Sequence, residues 1–92
     1  MKSGAELITI ERKSQIEKGY TLELDDGHGE GVLSAVAICY IEASFGWRKK
    51  KSHFPWSKDY WKPKDSLSNL VRAGALIAAE IDRLQRISDG ED

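Results

Sequence analysis

Cysteine is nearly absent from this 92-residue chain. Cys39 is the only one, so no disulfide can close within one copy and no thiolate zinc site can form. A reducing cytosol suits such a chain. Histidine is as scarce, with only His28 and His53, too few for the usual three or four metal ligands at recognisable spacings. The two prolines, Pro55 and Pro63, both fall in residues 46–64. No P-loop, GxGxxG, nucleophile elbow or HExxH is present, which removes the readable enzyme classes. Long apolar runs are missing too. The N-terminal stretch is broken by Lys2 and Glu6, so no secretory signal is expected, and a composition 32% charged leaves no membrane span. A net charge of −1 excludes a surface built wholly to neutralise nucleic-acid phosphates.

What is present reads as one small, water-soluble, all-α domain covering residues 1–92, with three helices. A core this small is marginal by itself, which makes a homo-oligomer plausible. The first helix is expected over about residues 5–18, with Ile8, Arg12 and Ile16 on one face and Gly19 as the stop; a strand through Leu7–Ile10 is the alternative. The second is expected over about 31–45, apolar almost all round and therefore central. Residues 46–64 form a long aromatic and basic loop between helices 2 and 3, of a length that usually binds something or carries its own packing. The third helix, about 66–87, shows the clearest periodicity: Leu67, Leu70, Val71, Gly74, Ile77, Ala78, Ile81 and Leu84 share one face. Asp65 or Ser66 can cap it and Gly90 lies beyond its end. Ala73, Gly74, Ala75, Ala78 and Ala79 would admit a close neighbour, either the second helix or a symmetry mate. Glu80 and Arg83 read as a surface pair worth tenths of a kcal/mol.

Three groups of residues can carry chemistry. Arg12 lies between Ile8 and Ile16 and must snorkel outward, pair with Asp25, Asp26 or Glu30, or meet an anionic ligand. Asp25, Asp26 and His28 can hold a cation or a ribose hydroxyl; alternatively the aspartates cap the second helix and His28 packs on Tyr20 or Tyr40. General acid–base work there lacks a nucleophile. In the loop, Trp47, Phe54, Trp56, Tyr60 and Trp61 alternate with Arg48, Lys49, Lys50, Lys51, Lys58, Lys62 and Lys64. Aromatic faces beside cations suit a nucleobase with its phosphate, at about 1–3 kcal/mol per stacked base. The same residues can instead form a mini-core, with Trp56 and Trp61 pinning the loop to the helices and Trp47 and the lysine run exposed.

The order ERKSQIEKGYTLELDDGHGEG, a small-residue helix ending in Cys39 and Tyr40, PWSKDYWKPKD and LVRAGALIAAEIDRL resembles a widespread, uncharacterised family of small phage and prophage proteins. The matching positions are Arg12, Gln15, Gly19, Tyr20, Asp25, Asp26, His28, Leu33, Ala37, Tyr40, Pro55, Trp56, Trp61, Lys62, Pro63 and residues 73–83. The chain departs from that pattern where Gly31, Val32 and Leu33 replace a Glu-Leu pair and where Glu23 and Leu24 replace Glu-His. A fainter similarity, through Arg12, Gly19, Tyr20, Asp25 and His28, is to ryanodine-receptor repeat domains, and implies a small nucleotide pocket.

The resulting expectation is a phage-encoded, non-enzymatic sponge that needs no cofactor. It would sequester a nucleotide-derived immune signal, such as a cyclic ADP-ribose-like or cyclic oligonucleotide messenger, in the host cell cytoplasm and so blunt antiviral defence. Its ligand would meet Arg12, Gln15, Tyr20, Asp25, Asp26, His28, Tyr40, Trp56, Trp61 and Lys62. Two alternatives stand beside it: an inhibitor docking its Trp/Lys loop on an acidic host defence protein, and a binder of single-stranded nucleic acid.

Overall fold

The computed structural model describes residues 1–18, 31–46, 54–56 and 58–90. Their regular structure is helical: α1 Gly4–Glu17, α2 Val32–Ser44, a single 3-10 turn at Lys58–Tyr60, and α3 Ser66–Asp89. No strand occurs among the described residues, so Leu7–Ile10 is helix. The small all-α class expected from periodicity is the class observed.

Local chemistry fixes the helix ends. Ser3 and Glu6 form a reciprocal capping box: the Glu6 N–H donates to Ser3 Oγ and the Ser3 N–H to Glu6 Oε1, both at 3.1 Å. Asp65 caps α3, accepting from the Ser68 N–H at 2.7 Å. At the other end the Gly90 N–H still reaches the Arg86 carbonyl at 3.0 Å, which carries α3 to Asp89, two residues beyond the expected stop.

Among the described helices it is α3, not α2, on which both of the others pack most extensively. The expectation of a central second helix fails because α2 is apolar all round without being enclosed. Leu33, Val36, Ala37, Cys39, Tyr40 and Ala43 are buried while Ile38 and Phe45 stay exposed. The core joins the buried α2 residues to Phe54 and to Ala73, Leu76 and Ala79 of α3, with Ile41, Trp56 and Trp61 packed against it. The small α3 side chains do admit a close neighbour, as their composition suggests. Gly74 lies against α1 instead, where a Cβ would stand 2.5 Å from Ile8 Cδ1.

On α1 the expected Ile8–Arg12–Ile16 face is corrected. Arg12 and Gln15 are buried, whereas Ile16 is exposed. At 100° per residue, repeated four-residue steps drift by about 40° each, so 8, 12 and 15 stay together while 16 rotates outward.

Glu80 and Arg83 are also corrected, because they are buried and not on the surface. Arg83 donates from Nε to Glu80 Oε1 at 2.7 Å and from Nη2 to Oε2 at 3.1 Å, the forked geometry that makes such pairs strong. Hydrogen bonds from Arg83 hold the Glu80 carboxyl below its ordinary range. Burial opposes them, while the Arg83 charge and the Gly31 backbone N–H add to the lowering. Gly31 is the N-cap residue of α2 and has φ 81°, a left-handed conformation that glycine adopts at little cost. The carboxylate thus ties α3 to the positive end of α2.

Candidate functional site

The Tyr40 hydroxyl, on the penultimate turn of α2, organises the approach to α3. It donates to the Tyr60 carbonyl at 3.2 Å, and accepts from the Lys62 N–H at 3.1 Å and from Arg72 Nη1 at 3.3 Å. One donor and two acceptor sites are all a phenol offers, so the group is fully used. Arg72 Nη1 also donates to the Lys62 carbonyl at 2.8 Å, and its guanidinium carbon stands 5.1 Å from the Tyr40 ring centre. Residues 60–62 are therefore held by α2 and α3 together.

Asn69 fastens the same segment one step later. Its side-chain oxygen accepts from the Lys64 N–H at 2.7 Å, and its amide donates to the Lys64 carbonyl at 3.0 Å. Both backbone groups of Lys64 are satisfied by one buried amide.

The aromatic residues of the segment pack on one another. Phe54 meets Trp61 edge-on at 5.2 Å and Trp56 at 6.3 Å; Trp56 meets Tyr60 at 6.2 Å; Trp61 lies 4.8 Å from Tyr40. Phe54 is buried and Trp61 half-buried, so the mini-core alternative describes these two. Within the loop expected over 46–64, Lys58–Tyr60 forms a 3-10 turn.

Between α1, this segment and α3 opens a cleft of ≈ 250 Å³. From α1 come Glu11 and Gln15, with Lys18 at its C-cap; from α2, Tyr40; from the segment, Trp56, Tyr60 and Lys62; from α3, Arg72 and Leu76. Three cations face one carboxylate, and that carboxylate is engaged by Gln15, whose Nε2 donates to Glu11 Oε2 at 3.4 Å. The lining is thus both basic and aromatic. Arg72 is held in place through Nη1, while no protein partner among the described residues engages its Nε or Nη2.

Of the residues expected to bind a ligand, Gln15, Tyr40, Trp56 and Lys62 come together in this cleft. Arg12 is buried on α1, and Trp61 packs beneath Tyr40; neither lines the cleft. Tyr20, Asp25, Asp26 and His28 lie outside the described residues, as do Trp47 and Arg48–Lys51. Sequence reasoning missed Arg72. Its position was a usable signal: it stands three residues after Asn69 and four before Leu76, both buried, so a helical projection sets this cation on the packed face, where it needs partners.

Among the described residues no cluster of three or more His, Cys, Asp or Glu is placed to hold a metal, and no helix is long and apolar enough to cross a membrane. No family model, curated protein or solved structure matches the chain.

Proposed function

We propose that this protein binds, without transforming, a small anion that carries an aromatic ring, with a nucleotide-derived molecule as the chemical class. One observation carries the proposal: Lys18, Lys62 and Arg72 converge with Tyr40, Trp56 and Tyr60 on a single cleft. A base can stack against Trp56 or Tyr60, a contact tolerant of base identity, while phosphate meets the guanidinium edge of Arg72 and the ammonium of Lys62. Arg72 is oriented before any ligand arrives, which lowers the entropic cost of binding. Gln15 supplies an amide for a ribose hydroxyl.

The resemblance to small phage proteins supports a use for such binding: sequestration of a nucleotide immune signal in the cytoplasm of an infected cell, by a homo-oligomeric sponge needing no cofactor. Nucleotide profiling of heat-released material, followed by calorimetric titration with mononucleotides, cyclic dinucleotides and cyclic ADP-ribose-like compounds, tests it. Binding weakened at least tenfold in Arg72→Ala supports the proposal; no bound species and no affinity for any of these removes it.

The size of the cleft favours a second proposal. At ≈ 250 Å³ it falls just under the usual 300–1,000 Å³ of small-molecule pockets. It suits a protruding acidic side chain of a host defence protein as well as part of a nucleotide. Affinity capture in which Trp56→Ala loses a stoichiometric acidic protein, with no nucleotide bound, selects this reading.

A further inference from the structure

Glu11 stands apart in the cleft. It is a carboxylate in a lining that also holds Lys18, Lys62 and Arg72, yet among the described residues it pairs with none of these cations. Its partner there is Gln15, one helical turn on, whose Nε2 donates to Glu11 Oε2 at 3.4 Å. The four-residue spacing sets both on one face of α1. Gln15 is only 8% exposed, so packing holds its amide, and Glu11 is half-buried beside it. A carboxylate offers about four lone-pair sites and no donor. Gln15 takes one of them, which leaves both oxygens able to accept from a ligand.

A carboxylate in an anion site has a cost. It repels the phosphate of every nucleotide alike, and a ligand recovers that cost only by bringing hydrogen-bond donors to it. Stacking on Trp56 or Tyr60 does not distinguish the bases. The carboxylate does. On their pairing edges adenine and cytosine each set a donor beside an acceptor, and uracil sets one donor between two acceptors. Guanine presents two adjacent donors, N1–H and the 2-amino group, which match the two oxygens of a carboxylate side by side.

We propose that Glu11, oriented by Gln15, makes the cleft selective for guanine nucleotides, with N1–H and the 2-amino group donating to its carboxylate. This selectivity rests on the nucleotide reading of the cleft and names the base. Lys18, Lys62 and Arg72 remain for phosphate, and the Gln15 carbonyl oxygen remains for a ribose hydroxyl. Adenine in the same position sets its N1 lone pair against the carboxylate, and two facing acceptors cost more than one missing bond.

Calorimetric titration of the full chain with GMP, IMP, 1-methyl-GMP and AMP, and with cyclic di-GMP beside cyclic di-AMP, tests it on the unaltered protein. Each guanine compound is expected to bind about 10- to 100-fold tighter than its adenine counterpart, the range of one bidentate contact. IMP lacks the amino group and 1-methyl-GMP lacks N1–H, so both bind about threefold or more weakly than GMP. In Glu11→Gln the guanine preference falls to about threefold or less, and a kept far-ultraviolet helix signal shows α1 intact, glutamine being as good a helix former as glutamate. Guanine compounds that bind no tighter than adenine ones, IMP and 1-methyl-GMP that match GMP, or a preference unchanged in folded Glu11→Gln each overturn the selectivity and leave a nucleotide cleft without it. No binding by any of these compounds overturns the selectivity as well, and where cyclic ADP-ribose-like compounds also fail, the nucleotide reading falls with it.

Discussion

Arg72 touches Tyr40 twice: its Nη1 donates to the phenolic oxygen at 3.3 Å, and its guanidinium carbon stands 5.1 Å from the ring centre. The cation is fixed by a residue buried in the core, which couples the cleft to the stability of the domain. Removing the hydroxyl should therefore affect both. Tyr40→Phe leaves the Lys62 N–H and the Tyr60 carbonyl without their partner, and an expected loss of about 1–3 kcal/mol follows. Urea denaturation measures it, and an unchanged midpoint would show that these bonds are replaced by water.

Glu80 and Arg83 make stability depend on acid. Arg83 and the Gly31 N–H lower the folded pKa of Glu80 below the unfolded value of 4.5. The unfolded chain then binds more protons as pH falls, so the contribution is fully present above that value and is lost as pH drops through the folded pKa. Thermal melts of Glu80→Gln should show a shallower loss on acidification than the wild type. Arg83→Ala, which strands a buried carboxylate, should cost about 3–5 kcal/mol at neutral pH.

Asn69 is expected to matter more than its polarity suggests. Asn69→Leu keeps the branched shape of the side chain but frees both backbone groups of Lys64, with an expected cost of about 2 kcal/mol and faster amide exchange at Lys64. Exchange unchanged at that amide would contradict the role of the clasp.

Gly74 marks the α1 crossing. A leucine there must displace Ile8, and Gly74→Leu is expected to lower stability by about 1–3 kcal/mol despite its better helix propensity. Equilibrium unfolding decides it, and a stabilised variant would mean that α1 moves aside freely.

Helix existence was legible because three-and-four spacing, Asp65 and Gly90 all speak locally. Burial was not. In α3, apolarity pointed to Leu70, Ile77 and Ile81, yet the packed side is Asn69, Ala73, Leu76, Ala79, Glu80 and Arg83. Small residues were chosen by the close approach of α2, and the polar ones are buried because they satisfy one another or the backbone, a pairing that periodicity does not register. Loop chemistry was half legible for a similar reason. Trp56 and Lys62 were recognisable as aromatic and cationic contacts, whereas Trp61 turns inward to Tyr40. Arg72 escaped notice because the apolar periodicity of α3 directs attention to its other face, and its partner Tyr40 lies 32 residues away in sequence.

The central claim is that the Arg72 cleft binds an aromatic anion, and the most direct measurement is calorimetric titration of wild type, Arg72→Ala and Arg72→Lys with one nucleotide series. Saturable binding in the wild type is expected, weakened about 10- to 100-fold in Arg72→Ala, as losing a charge-assisted pair of hydrogen bonds implies, and only partly restored by Arg72→Lys, whose ammonium cannot form the fork. Equal affinity in the wild type and a folded Arg72→Ala, or no nucleotide binding by any of the three, would contradict it.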